Sequence, residues 1–228
     1  DNDGDADFFA TGYTNESILF RNEGDLTFSN YTPYLNLPIW DARSYGCTWG
    51  DYNNDSYLDL YISNYYMLGG ITNWLLQNNG DFTFTEVALT LGVDNGVKTT
   101  YQSSFFDYDI DGDVDLLVTN DRLFGNSLYE NNGDGTFSDV SEETNAGTIM
   151  EAMCTSFDDF DDDGDFDFFI TNTEDGSVLL RNTNGVFENV ADEFGLECLG
   201  TVSWGVSWID HDNDTDQDIY VANVNVGD

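Results

Sequence analysis

An acidic loop of the form Asp-x-Asp-x-Asp-Gly-x-x-Asp recurs five times along this 228-residue chain, and a short apolar run follows each copy. The cleanest copy is Asp107, Asp109, Asp111, Gly112 and Asp115, leading into Leu116-Leu117-Val118-Thr119-Asn120. Asp159, Asp161, Asp163, Gly164 and Asp167 repeat the frame, as do Asp210, Asp212, Asp214 and Asp218, where Thr215 replaces the glycine. Asp51, Asn53, Asp55 and Asp59 form a degenerate copy, and the chain opens inside another, at Asp1, Asp3, Gly4 and Asp7. With loop position 5 as marker, residues 3, 55, 111, 163 and 214 step by 52, 56, 52 and 51. A period of this size means an array of supersecondary units, each burying its apolar face on the next.

Side chains at alternate positions of a tight loop point to its centre, so acids at positions 1, 3 and 5 converge on one cation. A glycine at position 6 permits the sharp turn that lets a carbonyl at position 7 and a carboxylate at position 9 complete the shell. All donors are hard oxygens, which suit calcium better than zinc or copper, and the mixed, flexible shell suits magnesium poorly. A merely solvated acidic turn has no reason to keep this spacing five times. An EF-hand needs an acid at position 12, which here is Ile62, Val118, Ile170 or Val221.

The flanking sequence reads as strands. Two residues before each complete loop the side chain is aromatic, at Trp49, Phe105, Phe157 and Trp208. A second strand follows the loop, and a third runs over Ile18–Arg21, Trp74–Gln77, Ser127–Glu130 and Val178–Arg181. Asn-Gly type turns at 22–25, 78–81, 131–134 and 182–185 then lead to a fourth strand opening at Thr27, Thr83, Thr136 and Val186. Four antiparallel strands per repeat predict an all-β fold, a β-propeller of four-stranded blades with an acidic loop in each. The one helical stretch, Val190–Phe194, predicts a single short turn.

These residues resemble the FG-GAP or VCBS type of calcium-binding propeller repeat, as in the heads of integrin alpha subunits. The wording is most similar to the branch associated with the ASPIC/UnbV domain and cartilage-acidic-protein-like chains. Phe106–Asn120, Leu128–Val140 and Leu179–Leu196 carry the likeness. The resemblance implies calcium ligands at positions 1, 3, 5 and 9, with a carbonyl from position 7. In the first loop these are Asp1, Asp3, Asp5 and Asp7; in the second, Asp51, Asn53, Asp55, Tyr57 and Asp59. In the third they are Asp107, Asp109, Asp111, Asp113 and Asp115; in the fourth, Asp159, Asp161, Asp163, Asp165 and Asp167; in the fifth, Asp210, Asp212, Asp214, Asp216 and Asp218. Ser56 and Thr215 in place of glycine, and Asn53 in place of an acid, weaken single sites, the second loop most among the complete four.

Residues 1–228 read as one propeller segment truncated at both ends, three blades complete and two partial, with repeats near 1–45, 46–100, 101–152, 153–202 and 203–228. The formal charge of −40 argues against binding nucleic acid or an anionic membrane directly, five divalent ions would still leave the chain strongly acidic, and no run approaches the roughly 18 apolar residues that membrane insertion needs. Aromatic content of 15% argues against disorder. Cys47, Cys154 and Cys198 make an odd count in which Cys154 and Cys198 are the pair to test for a bridge, and Asn15 and Asn30 are sequons open to glycan.

Catalysis is not expected: the loops already account for the carboxylates, and the single histidine, His211, stands at loop position 2, expected to point outward. The expectation is an extracellular, secreted or cell-surface calcium-binding module for adhesion or structural assembly, with a protein or glycan partner or other copies of itself. Lectin-like carbohydrate binding and a self-assembling fibre subunit are the alternative readings. Aromatics at Tyr34–Trp40 and Tyr65–Gly70 mark the rim away from the acidic loops, whereas Trp49, Trp204 and Trp208 are expected between blades.

Overall fold

Alternation along each second strand decides the architecture. In Leu60-Tyr61-Ile62, the leucine and isoleucine enter one apolar cluster and the tyrosine the next. Leu116 and Val118 likewise part from Leu117, and Phe168 and Ile170 from Phe169. A strand buried on both faces in this way belongs to a sheet sandwiched between two others. Four such clusters, one at each junction between successive sheets, form the core.

A computed structural model of the chain describes residues 2–13, 16–35, 43–65 and 70–225. Blade 1 contains β1 (Phe8–Ala10), β2 (Ile18–Asn22) and β3 (Phe28–Asn30). Blade 2 contains β4 (Ser44–Gly50), β5 (Asp59–Asn64), β6 (Trp74–Asn78) and β7 (Phe84–Glu86). Blade 3 contains β8 (Thr99–Phe106), β9 (Asp115–Asp121), β10 (Ser127–Asn131) and β11 (Phe137–Asp139). Blade 4 contains β12 (Thr155–Asp158), β13 (Asp167–Ile170), β14 (Val178–Thr183) and β15 (Val186–Asn189), and blade 5 contains β16 (Thr201–Ile209) and β17 (Asp218–Asn225). Every sheet is an antiparallel meander in chain order, with three, four, four, four and two strands. The first strands of successive blades lie against each other, β4 on β8, β8 on β12 and β12 on β16, so they are innermost. This is the all-β propeller arrangement that the repeat predicts.

Among the described residues helix is confined to single turns: α1 (Ala88–Leu91), α2 (Ala191–Phe194) and a 3-10 turn at Thr32–Tyr34. α1 and α2 each end on a left-handed glycine, Gly92 and Gly195. No helix among the described residues is long and apolar enough to cross a membrane.

Three inner strands carry a β-bulge at one place, between Ser44 and Gly46, Thr100 and Gln102, and Ser203 and Gly205. The extra residues, Tyr45, Tyr101 and Trp204, therefore leave the ladder. Trp204, expected between blades, is 53% exposed, whereas Tyr45 and Tyr101 at the same bulge are half-buried against each other. Trp49 and Trp208 pack into interblade clusters as expected. Between blades 3 and 4 the Gln102 amide bonds the Thr155 backbone twice, Nε2 donating to its carbonyl at 2.9 Å and Oε1 accepting from its N–H at 3.0 Å. Cys47, Cys154 and Cys198 are all free thiols, so the Cys154–Cys198 pair is unbridged in this structure.

Candidate metal centre

In blades 2 to 5 the acidic loop joins the first strand to the second, in blade 1 it leads into β1, and its backbone is held by its own carboxylates. In the third loop Asp107 accepts the amides of Asp111 (3.1 Å) and Gly112 (2.9 Å), and Asp111 accepts that of Asp113 (2.9 Å). Asp51 and Asp55, Asp159 and Asp163, and Asp210 and Asp214 repeat these bonds. Asp3 accepts from Asp5 in the first loop. The four complete copies thus share one turn, and the first keeps its position-5 bond.

The remaining carboxylate oxygens gather closely. Oxygens of Asp107, Asp109 and Asp115 lie within 4.8 Å of one another, as do those of Asp159, Asp161 and Asp167 and of Asp210, Asp212 and Asp214. His211 joins Asp212 and Asp218 in an overlapping group. These all-oxygen donor sets fit a hard divalent cation. Position 5 (Asp111, Asp163) stands outside the closest trios of the third and fourth loops, its carboxylate engaged with the position-7 amide. In the second loop the Asn53 amide donates to Asp55 at 3.0 Å. Asp1 lies outside the described residues.

Position 9 has a second role that sequence reading missed. Asp59, Asp115 and Asp167 are fully buried, and each accepts two backbone amides. One comes from loop position 2 (Tyr52, Tyr108, Phe160) and one from the end of the third strand (Asn78, Asn131, Asn182). Burial pushes all three carboxyls up to about 7, against the opposing pull of those amides. A cation beside them would reverse that shift. Asp218 in blade 5 is less covered, and its hydrogen bond to His211 lowers its pKa instead. His211 is exposed, as expected at position 2, but its ring turns back onto this carboxylate.

Position 2 was read as outward-facing, yet Tyr52 and Tyr108 are 4% and 5% exposed. Each tucks under the next blade, Tyr52 against Phe137 and Tyr108 against Phe187. The recurring aromatic there was the signal available in the sequence. Between blades 1 and 2 lies a cavity of about 530 Å³ lined by residues that include Leu19, Trp49, Asn78 and Phe84.

Position 4 is left-handed in every loop, with φ between 56° and 61° at Asn2, Asn54, Ile110, Asp162 and Asn213. Four of these are the Asn or Asp that tolerate such backbone; Ile110 is β-branched and is strained there. We expect Ile110→Asn to raise stability by about 1 kcal/mol, read as a higher urea midpoint at unchanged slope. Ser56 and Thr215 reach the turn at φ of 72° and 83°, short of the 96° to 99° of Gly4, Gly112 and Gly164.

At the far end of the strands lies an aromatic cluster. Tyr45 stacks on Tyr101 with centroids 4.3 Å apart, and Tyr13 and Tyr65 close around them. Arg43 lies over Tyr13 and Arg122 over Tyr65. The neighbouring expected aromatics Tyr66 and Trp40 lie outside the described residues, with the rest of 36–42 and 66–69.

The blades and their acidic loops define a propeller-type repeat module. The family model described as FG-GAP-like repeat matches residues 1–62 and 159–221, more than half of the chain. The chain therefore belongs to the FG-GAP-like repeat family. A search of curated proteins returned no match.

Proposed function

We infer that this chain is an extracellular propeller module whose loops each hold one calcium ion, and that it acts by binding a protein partner rather than by catalysis. The observation that carries the reading is the same carboxylate-held turn in four successive loops, with oxygens of three acids within 4.8 Å in the third, fourth and fifth. The ligands proposed are those named from the sequence, with Asp109 and Asp115, and Asp161 and Asp167, as the central pairs. Calcium would supply charge neutralisation and a fixed loop backbone, and the protein's own part is to bury position 9 and orient positions 1 and 3. The second loop, with Asn53 and Ser56, should be the weakest of the complete four. Partner contact fits the opposite rim, where Tyr13, Tyr45, Tyr65 and Tyr101 meet Arg43 and Arg122 in an otherwise acidic chain.

Calorimetric titration tests the metal reading. Calcium should bind at several sites and magnesium at least 10-fold more weakly. Asp163→Ala should remove one equivalent and spare the others in number. Binding of magnesium and calcium alike, or of neither, would discard the assignment.

A further inference from the structure

We propose that the metal loops of blades 2, 3 and 4 are energetically coupled through one buried asparagine at each of their two interfaces, so that an ion in one loop raises the affinity of the next; this rests on the calcium reading above. Asn131 carries the join between blades 2 and 3. Its N–H donates to Asp115 of its own blade at 2.8 Å, while its Nδ2 donates to the Tyr52 carbonyl of the preceding loop at 2.7 Å and to Val114 at 3.1 Å. Its Oδ1 accepts the Gly133 amide at 3.1 Å, so both side-chain polar atoms and the backbone N–H of this 1%-exposed residue are engaged. Tyr52 in turn donates its N–H to Asp59 at 3.3 Å. Three consecutive hydrogen bonds therefore connect Asp59 of the second loop to Asp115 of the third.

The unit is repeated one blade on. The Tyr108 N–H donates to Asp115 at 2.9 Å, Asn182 Nδ2 donates to the Tyr108 carbonyl at 2.9 Å, and the Asn182 N–H donates to Asp167 at 2.7 Å. Asn182 is fully buried. Asp115 thus accepts one bond from each path, and a cation that draws on it pulls on both neighbours. The packed rings of Tyr52 on Phe137 and Tyr108 on Phe187 make the position-2 peptide stiff enough to transmit that pull. A surface contact runs beside the buried path, Asn54 Nδ2 donating to Asp113 of the next loop at 2.6 Å. Residues that only held the blades together would not need to end on a candidate ligand at both sides.

Site-resolved titration with calcium, followed by the NMR amide signals of Ser56, Gly112 and Gly164, tests this. Asp111→Ala should raise the calcium midpoints of Ser56 and Gly164 by about 5-fold or more. Adding Asn131→Ala should abolish the effect on Ser56 and leave that on Gly164. Where Asn131→Ala does not fold, reciprocity decides: Asp55→Ala must weaken Gly112 by the factor by which Asp111→Ala weakens Ser56. Signals that respond to calcium at midpoints indifferent to the neighbouring loop would overturn the coupling and leave the metal reading standing. Signals that ignore calcium altogether would overturn both.

Discussion

Chelation of divalent ions with EGTA should lower the thermal midpoint by roughly 20 °C. A site held at 100 times its dissociation constant contributes about 2.7 kcal/mol, so the four complete loops together contribute on the order of 10 kcal/mol. That matches the entire stability of an ordinary domain, and in a chain of this length each kcal/mol moves the midpoint by about 2–4 °C. The direction follows from the position-9 carboxyls: Asp59, Asp115 and Asp167 lose hydration on burial, and without a cation their ionised forms are disfavoured at neutral pH. Scanning calorimetry with and without EGTA makes the measurement. A shift below about 5 °C would mean that amides and burial alone hold the loops.

Gly46→Ala should be the most damaging single methyl in the chain, costing about 3 kcal/mol. A Cβ at Gly46 would stand 2.5 Å from the Tyr101 carbonyl oxygen and 3.1 Å from Gln102 Cα, and neither backbone atom can swing aside. The innermost strands β4 and β8 would have to part, opening the junction that buries Tyr61, Leu116 and Val118. Gly205 supplies the control. It follows the same bulge in blade 5, where the nearest atom to a new Cβ is Ala222 Cβ at 4.0 Å, so Gly205→Ala should be nearly neutral. Urea unfolding of both variants in calcium tests the pair; equal midpoints would refute the close-approach account.

The acidic loops, the strand order and the hairpins were legible because each depends on local chemistry: an oxygen set at fixed spacing, a period-two apolar pattern and an Asn-Gly turn. What escaped depends on the neighbouring blade. Asn131 and Asn182 were read as turn residues, and their Oδ1 atoms do cap the hairpin. Their Nδ2 bonds reach back to Tyr52 and Tyr108, 79 and 74 residues away, which no local pattern encodes. Position 9 was read as a ligand only, because one of the amides it binds comes from the end of the third strand of its own blade, outside the loop. Trp204 was expected in the core on hydrophobicity, but at the last blade's bulge it stands 53% exposed. Position 5 accepts the position-7 amide in the third, fourth and fifth loops alike, yet only Asp214 of the fifth stands in its closest trio.

The Gln102 amide gives the junction of blades 3 and 4 a character the others lack. By offering one donor and one acceptor to Thr155, it imitates the peptide group of an adjoining strand. Apolar contacts between sheets change smoothly as one slides past the other, whereas this pair of bonds exists at one offset only. A shift of β12 by a single residue would strand both ends of this half-buried side chain. The two blades are therefore indexed to each other like a key in its ward, by this glutamine together with the Asn182–Tyr108 bond across the same junction.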